Sequence, residues 1–597
     1  MKKFLRMGGI LALLAAVAFG AASCSSDPDV QPTSGVTGQQ WSETEKISAG
    51  ATSKSFDFKA LGAWTARSIS SWVKIETLSG AAGDAQLRLT VGENTTGAER
   101  SATITVAVNG YSSASFTLVQ SGETSAADVN ETLDRWMFEY MQSHYLWDEA
   151  VTKVTPDYTL EYKSFLNKVL LDIAAQNDVN HDDGHWDVDQ SGRPVRSSFY
   201  TNIQRYPITK TTRGGTRETI DGFGIEYVAG GRFSNTGNYF FVVMAVAPGS
   251  PADEAGMKRG DYIIRIAGRD ITETTFNNDW SLLMSLTSDA SVTFTPGVVT
   301  PSGALGEGDP LTLTRATYDD DPVYLVKTFD AEGGKIGYLW YNSFNMNYDD
   351  SLIAAFGKLK AEGVKELILD LRYNGGGHLV SSTVLGTLVA GDAKRGQTYA
   401  TTTYNAARTA RGEKAAIYSL GDAIIKYGAA SGNDARYEPI ATALSSALGL
   451  QTVYVLGTAN TASASELVIN GLRGVDVEVR LIGKQTNGKN VGMEPIVKEL
   501  GDYEYDFSPI TFYSVNAKGF KDYSNGFAPD VDVNEYAGTI VPMGDERDLL
   551  IAAALEWIGT GSKPSAQAAA GTRAGGEIIA LPRPARRLDG TIAPRRE

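Results

Sequence analysis

The stretch from Thr452 to Lys489 constrains this chain most, because it reads as a strand, a turn, a helix and a returning strand in direct succession. Thr452-Val453-Tyr454-Val455-Leu456 is a β-branched and aromatic run of the kind that fills a buried strand. Small and polar residues follow from Gly457 to Glu466, and Leu467-Val468-Ile469-Asn470-Gly471-Leu472 continues as an apolar helix. Ser463 and Glu466 stand at capping-box spacing, which places the helix start there. Val477-Glu478-Val479-Arg480-Leu481-Ile482-Gly483 reads as the parallel return, with Lys489 in the Gly-rich loop beyond it. In such units reactive groups gather at the carboxyl ends of the strands. A hydroxyl, free backbone N–H groups and an amine would then share one crevice. On spacing alone Ser463 reads as a helix cap, and Lys484 and Lys489 cannot be ranked.

Thr461-Ala462-Ser463-Ala464-Ser465-Glu466, followed downstream by Gly488-Lys489, resembles the serine–lysine site of the C-terminal processing (tail-specific) peptidases. The resemblance implies that Ser463 is the nucleophile and Lys489 its base, with no cofactor and no metal. One position departs from it. The family commonly carries a glutamine four residues past the lysine, where it orients the amine; here Met493 stands there and offers no useful hydrogen bond.

Leu367 to Arg372 is a near-continuous apolar run, as in a parallel strand buried on both faces, and it ends in Tyr373-Asn374-Gly375-Gly376-Gly377. Glycine lets backbone N–H groups approach a developing oxyanion closely. By the same resemblance Gly376 supplies one oxyanion donor and Ala464 the other. His378 borders this loop, but no Gly-x-Ser-x-Gly elbow surrounds Ser463, so a histidine triad is not expected. Lys335 to Leu339 reads as a strand and Asp350 to Glu362 as an amphipathic helix. The long polar and aromatic segment from Gly391 to Leu448 reads as one that covers substrate. Gly526-Phe527-Ala528-Pro529-Asp530-Val531 resembles the family's closing Pro-Asp motif, and a helix over Glu546 to Ile558 completes the body.

Ahead of this body the chain changes character several times. Lys2, Lys3 and Arg6 precede an apolar run from Ile10 to Phe19, which is a secretory signal, too short to span a membrane. Ala21-Ala22-Ser23-Cys24 resembles a bacterial lipobox with Ala21 where leucine is commoner, which implies lipidation at Cys24. From 41 to 122 short alternating strands such as Ser55-Phe56-Asp57-Phe58 indicate a β-sandwich. Trp64-Thr65, Trp72, Asn94-Thr95, Arg100-Ser101 and Gln120-Ser121-Gly122 resemble a BACON domain, which implies a spacer or a glycan-binding module. The two tryptophans read as core rather than as a sugar platform. Leu133, Trp136, Met137, Tyr140, Met141 and Tyr145 then recur at helical spacing, and a second helix covers Leu160 to Ala175. The segment Asp178 to Asp189 approaches a calcium loop, but its glycine falls at position seven, so it reads as a solvated acidic loop.

Gly222-Phe223-Gly224-Ile225, Pro248 to Met257 and Arg259-Gly260-Asp261-Tyr262-Ile263 resemble the carboxylate-binding loop and following turn of a protease-associated PDZ domain. Such a domain captures a peptide by strand addition while loop N–H groups hold its terminal carboxylate.

The formal charge of −16 argues against a nucleic-acid partner. A single cysteine excludes an intrachain disulfide and a Cys-ligated zinc site, and four scattered histidines offer no His-rich metal cluster. The chain therefore reads as a multidomain protein: signal peptide 1–23, linker 24–40, Ig-like BACON sandwich 41–122 and helical segment 126–215. PDZ 216–318, a ClpP/crotonase-like α/β peptidase core 319–560 and a disordered, arginine-bearing tail 561–597 complete it. The resemblance implies a lipid-anchored serine endopeptidase of the cell envelope acting on peptides or proteins. The rival readings are a catalytically silent PDZ/BACON binding protein and a glycan-binding surface protein.

Overall fold

The computed structural model describes residues 34–47, 49–122, 126–176, 183–188, 194–208, 219–232, 239–272, 289–300, 305–422, 424–426 and 434–565. The signal, Cys24, most of the acidic loop and most of the tail lie outside the described residues. The chain divides into two compact units, Met1–Ala126 and Ala127–Glu597.

In the first unit, strict alternation produces two sheets that share one core. Thr52–Ala60 buries Phe56, Phe58 and Ala60 and turns Asp57 and Lys59 outward. It pairs with Val36–Thr37 and Gly83–Val91, and Val73–Ile75 completes a four-stranded sheet. The facing sheet has five strands, built around Ala114–Gln120, Arg100–Val108 and Trp64–Ser68. Trp64 is buried and packs edge-on against Phe58, as a core tryptophan would. Trp41 is equally buried among Phe56, Phe58 and Phe116. Trp72 differs: it is half-buried and carries the Arg100 guanidinium 4.4 Å from its ring.

The second unit starts with helices Ala126–His144 and Tyr162–Ala174, the latter capped by the Glu161 carboxylate, which accepts from the N–H groups of Lys163 and Ser164. Their apolar faces pack Leu133, Met137, Met141, Phe165 and Ile173 against Tyr505, Phe507 and Ile510. One residue breaks the pattern. Asp134 is fully buried on the first helix, and neither carboxylate oxygen has a hydrogen-bond partner among the described residues. Burial, followed by the charges of Glu161, Asp157 and Glu131, pushes its carboxyl up to about 7. The folded form therefore holds a proton that the unfolded chain gives up near ~3.9. Stability falls as pH rises from there through 7. Asp134→Leu is expected to stabilise the protein by about 1–3 kcal/mol at pH 8 and by far less at pH 5. Thermal unfolding at both pH values checks this, and an equal gain at both would contradict it.

The sheet in the segment expected to be a PDZ runs in the order Ile225–Arg232, Tyr239–Val246, Tyr262–Ile266, Ser291–Val299, Leu305–Glu307. Ile225–Arg232 is thus an end strand, the position at which an added peptide strand can pair. The α/β body is a six-stranded sheet, Val323–Ala331, Gly334–Tyr341, Val364–Asp370, Thr452–Gly457, Glu478–Gly483, Val531–Asp532. It is parallel from the second strand onward, with Val455 opposite Leu369 and Leu481. Leu352, Phe356, Val384, Leu388, Val468 and Leu472 of three helices cover it in one core.

The segment Gly391 to Leu448 departs from its reading as a covering loop. Thr398–Thr403, Ile417–Ser419, Ile424–Lys426 and Asp434–Arg436 join Ile510–Val515 and Val491–Met493 in a second six-stranded sheet. The polar threonines conceal this alternation: Tyr399, Ala400 and Thr402 are buried between more exposed neighbours.

Candidate active site

Ser463 sits on the turn between strand Thr452–Gly457 and helix Ala464–Gly474, with φ 56° and ψ −115°. A non-glycine residue in this region stores strain of order 1–3 kcal/mol, which surrounding contacts must hold. Its hydroxyl forms no cap hydrogen bond of normal geometry, although it lies toward the Glu466 amide as a capping box would have it. The other half of that box is firm: Glu466 accepts from Ser463 N–H at 3.0 Å.

Glu466 does more than cap. Its Oε1 accepts from Thr486 Oγ1 at 2.6 Å and Gly488 N–H at 2.7 Å. Its Oε2, already bonded to Ser463 N–H, also accepts from Lys489 N–H at 2.8 Å. A single oxygen atom therefore joins the backbones of Ser463 and Lys489. Burial pushes the Glu466 carboxyl up to about 7, against the four donors that favour its charged form. The capping-box spacing was its sequence signal; its hold on the lysine loop was not visible there.

The Lys489 amine is drawn below the ordinary lysine range by burial, with Asp183 and then Glu466 acting in the opposite sense. It lies 4.9 Å from the centre of the Tyr200 ring. The Ser463 hydroxyl and this amine form no hydrogen bond with each other in the structure. Catalytic contacts of this kind often tighten only when substrate is bound.

The glycine loop closes over the same turn. Gly376 has φ 103°, and a Cβ there would come within 2.7 Å of Ser463 Cβ and 2.8 Å of Ala464 N. Only glycine fits so close an approach. Ala464 N–H has no acceptor among the described residues, as an oxyanion donor requires. Gly376 N–H, in contrast, donates to Asn374 Oδ1 at 2.9 Å. Asn374 also fixes the turn, accepting from Ala462 N–H and Ser465 Oγ and donating to Tyr341 O. Gly376 thus faces the site, with its N–H turned to Asn374.

Beneath the loop lies a buried charge cluster that was not foreseen from the sequence. Arg372 donates to both Asp370 oxygens at 3.0 and 2.7 Å and to Asp548 at 2.9 Å. Arg259, from the PDZ turn, donates to Glu535 at 3.0 Å and to the Tyr373 hydroxyl at 2.8 Å. Tyr373 in turn donates to Glu535 at 2.5 Å and begins the glycine loop at φ 67°. Its strained backbone is therefore pinned through its hydroxyl to the PDZ.

The competitors for the base are elsewhere engaged. Lys484 is half-exposed and paired with Asp532. His378 occupies the N-cap position of helix Leu379–Ala390, and its Nδ1 faces Phe344 O and Met346 N–H. Met493 packs against the apolar core of the helical segment. No cluster of metal-binding side chains occurs among the described residues.

Residues 335–533 match the model of peptidase family S41, residues 242–295 that of a PDZ domain and residues 31–123 that of a viral BACON domain. Residues 335–533 form a family S41 peptidase domain. The chain is similar to the C-terminal processing peptidase, chloroplastic, of Tetradesmus obliquus, 30% identical over 28% of this chain and 36% of that protein. It is likewise similar to carboxyl-terminal-processing peptidase 1, chloroplastic, of Arabidopsis thaliana, 26% identical over 53% of this chain and 54% of that one. It spans about half or less of the length of these curated relatives. The crystal structure of an S41-family protein from Bacteroides fragilis NCTC 9343 is similar over 72% of this chain and 97% of its own, at 26% identity and a TM-score of 0.54. The S41 match covers the turn, the glycine loop and the lysine loop together.

Proposed function

We propose that this protein is a serine endopeptidase in which Ser463 attacks the peptide carbonyl and Lys489 acts as its base. The observation that carries the proposal is the shared oxygen of Glu466, which brackets the strained serine and the lysine between two hydrogen bonds. A neutral Lys489 amine takes the Ser463 proton as the oxygen bonds to the carbonyl carbon. Ala464 N–H then faces the oxyanion, and Gly376 joins it once its N–H is released from Asn374. The lysine returns the proton to the leaving amine, and water, deprotonated the same way, frees the acyl group.

The PDZ delivers the peptide. Phe223 and Gly224 carry N–H groups without acceptors among the described residues, at the start of the end strand Ile225–Arg232. With Gly222 and Ile225 they form the carboxylate-binding loop. The sandwich serves as a spacer, since Trp64 is core rather than platform. Cys24 carries the lipid that holds the protein in the cell envelope, so Cys24→Ser is expected to move it from the membrane to the soluble fraction. Retention in the membrane fraction would remove that part of the reading.

The test is digestion of peptide mixtures by purified protein beside its Ser463→Ala form, with products read by mass. Cleavage by the first alone supports the reading, and equal product from both, or from neither, refutes it. Amidating the peptide C-terminus should slow capture about tenfold by removing charge-assisted hydrogen bonds. Equal handling of acid and amide would make the PDZ a brace.

A further inference from the structure

The Lys489 backbone is fixed by Glu466, but that bond leaves four side-chain torsions free to carry the amine elsewhere. What meets the amine is the face of Tyr200. Tyr200 is itself held at both ends. Its hydroxyl donates to Asn487 Oδ1 at 2.7 Å, in the same loop as the lysine. Its N–H donates to Asp183 Oδ1 at 2.9 Å, as does the N–H of Thr201, also at 2.9 Å. Asp183 is fully buried, and its second oxygen accepts from the Tyr145 hydroxyl at 2.7 Å. Tyr145 lies just beyond the first helix of the unit, so the helical segment reaches the lysine through Asp183 and Tyr200.

We infer that Asp183 and Tyr200 position the Lys489 amine for its work as a base, with the Tyr200 ring as the seat and Asp183 as the anchor of that seat. The inference rests on the serine–lysine reading above. A cation over an aromatic ring is attracted by its quadrupole, more so when desolvated. The ring therefore holds the amine in its charged phase, and among the described residues no carboxylate pairs with it directly. The charged groups acting on the amine are Asp183, from the segment after the helices, and Glu466, from helix Ala464–Gly474; both oppose the effect of burial. Asp183 thereby opposes the lowering of the amine's basicity that burial brings.

Asp183→Asn isolates the charge, because its Oδ1 can still accept from Tyr200 and Thr201 and its amide can donate to the Tyr145 hydroxyl. The first readout needs no turnover: competitive acylation of Lys489 as a function of pH, in the full chain carrying Ser463→Ala, read by peptide mass. Asp183→Asn is expected to move the labelling midpoint to lower pH by about half a unit or more. An unchanged or raised midpoint overturns the inference, whether or not the protein is a peptidase. The second readout is kcat in the active protein. Tyr200→Leu should lower it about tenfold with little change in KM, and Tyr200→Phe should retain it. Undiminished kcat in Tyr200→Leu would overturn the role of the ring. A wild-type protein without turnover would refute the peptidase reading, while the labelling result would still decide the inference.

Discussion

Replacing Lys489 by alanine is expected to lower peptide turnover by about 10²–10⁴-fold, the contribution of a positioned general base. The fold should survive, because the bond from residue 489 to Glu466 is made by the backbone N–H and remains. Without the amine, Ser463 keeps a hydroxyl that does not ionise near neutral pH. Lys484→Ala removes an exposed pair with Asp532, worth about 0–1 kcal/mol of stability, and should leave kcat within about twofold. His378→Ala should likewise stay active, since its ring is turned to Phe344 O and not to Ser463. Initial rates of the three variants on one peptide separate these outcomes. A dead His378→Ala beside a live Lys489→Ala would replace the dyad with a histidine base.

Arg372→Met is expected to destabilise the second unit by about 3–5 kcal/mol, because it leaves buried carboxylates without their main partner. Arg372 is fully buried and pairs with Asp370, Asp548 and Glu535. Although burial opposes ionisation of Asp548, Arg372 and Arg259 hold its carboxyl below the usual range. Arg259→Met should cost less, since Arg372 still faces both Glu535 and Asp548. It should nevertheless lower kcat, because Tyr373 loses the Arg259 hydrogen bond that helps hold its strained backbone at the head of the glycine loop. Thermal unfolding and kcat measured together distinguish the two arginines. A larger stability loss for Arg259→Met than for Arg372→Met would contradict this division of labour.

The sequence carried the strands and helices of the α/β body well, because Leu367 to Leu371 and Val453 to Leu456 are long apolar runs buried on both faces. Helix ends moved by a few residues: the last helix starts at Leu549 behind an Asp548 cap rather than at Glu546. The sheet built from residues 398–436 was missed, since threonine and alanine in its strands do not announce a buried face. Ser463, Lys489, Gly376 and Ala464 rest on resemblance; Gly376 approaches the Ser463–Ala464 turn, and one Glu466 oxygen links the backbones of Ser463 and Lys489. The Gly376 N–H turns to Asn374 only two residues away, a direction that the glycine run does not announce. The ion cluster under the loop and the approach of Asp183 and Tyr200 to the lysine join residues far apart in the chain. No local pattern encodes such contacts.

The most direct test of the central claim is kcat/KM for one peptide measured across pH. The fraction of neutral Lys489 amine rises with pH, and burial lowers the pH at which it does so. Activity is expected to rise with pH through an inflection below the ~10.4 of an ordinary lysine. That rise should be unchanged in His378→Ala and absent in Lys489→Ala, whose residual rate stays at background. An inflection near the ~6.5 of histidine, lost in His378→Ala and kept in Lys489→Ala, would contradict it.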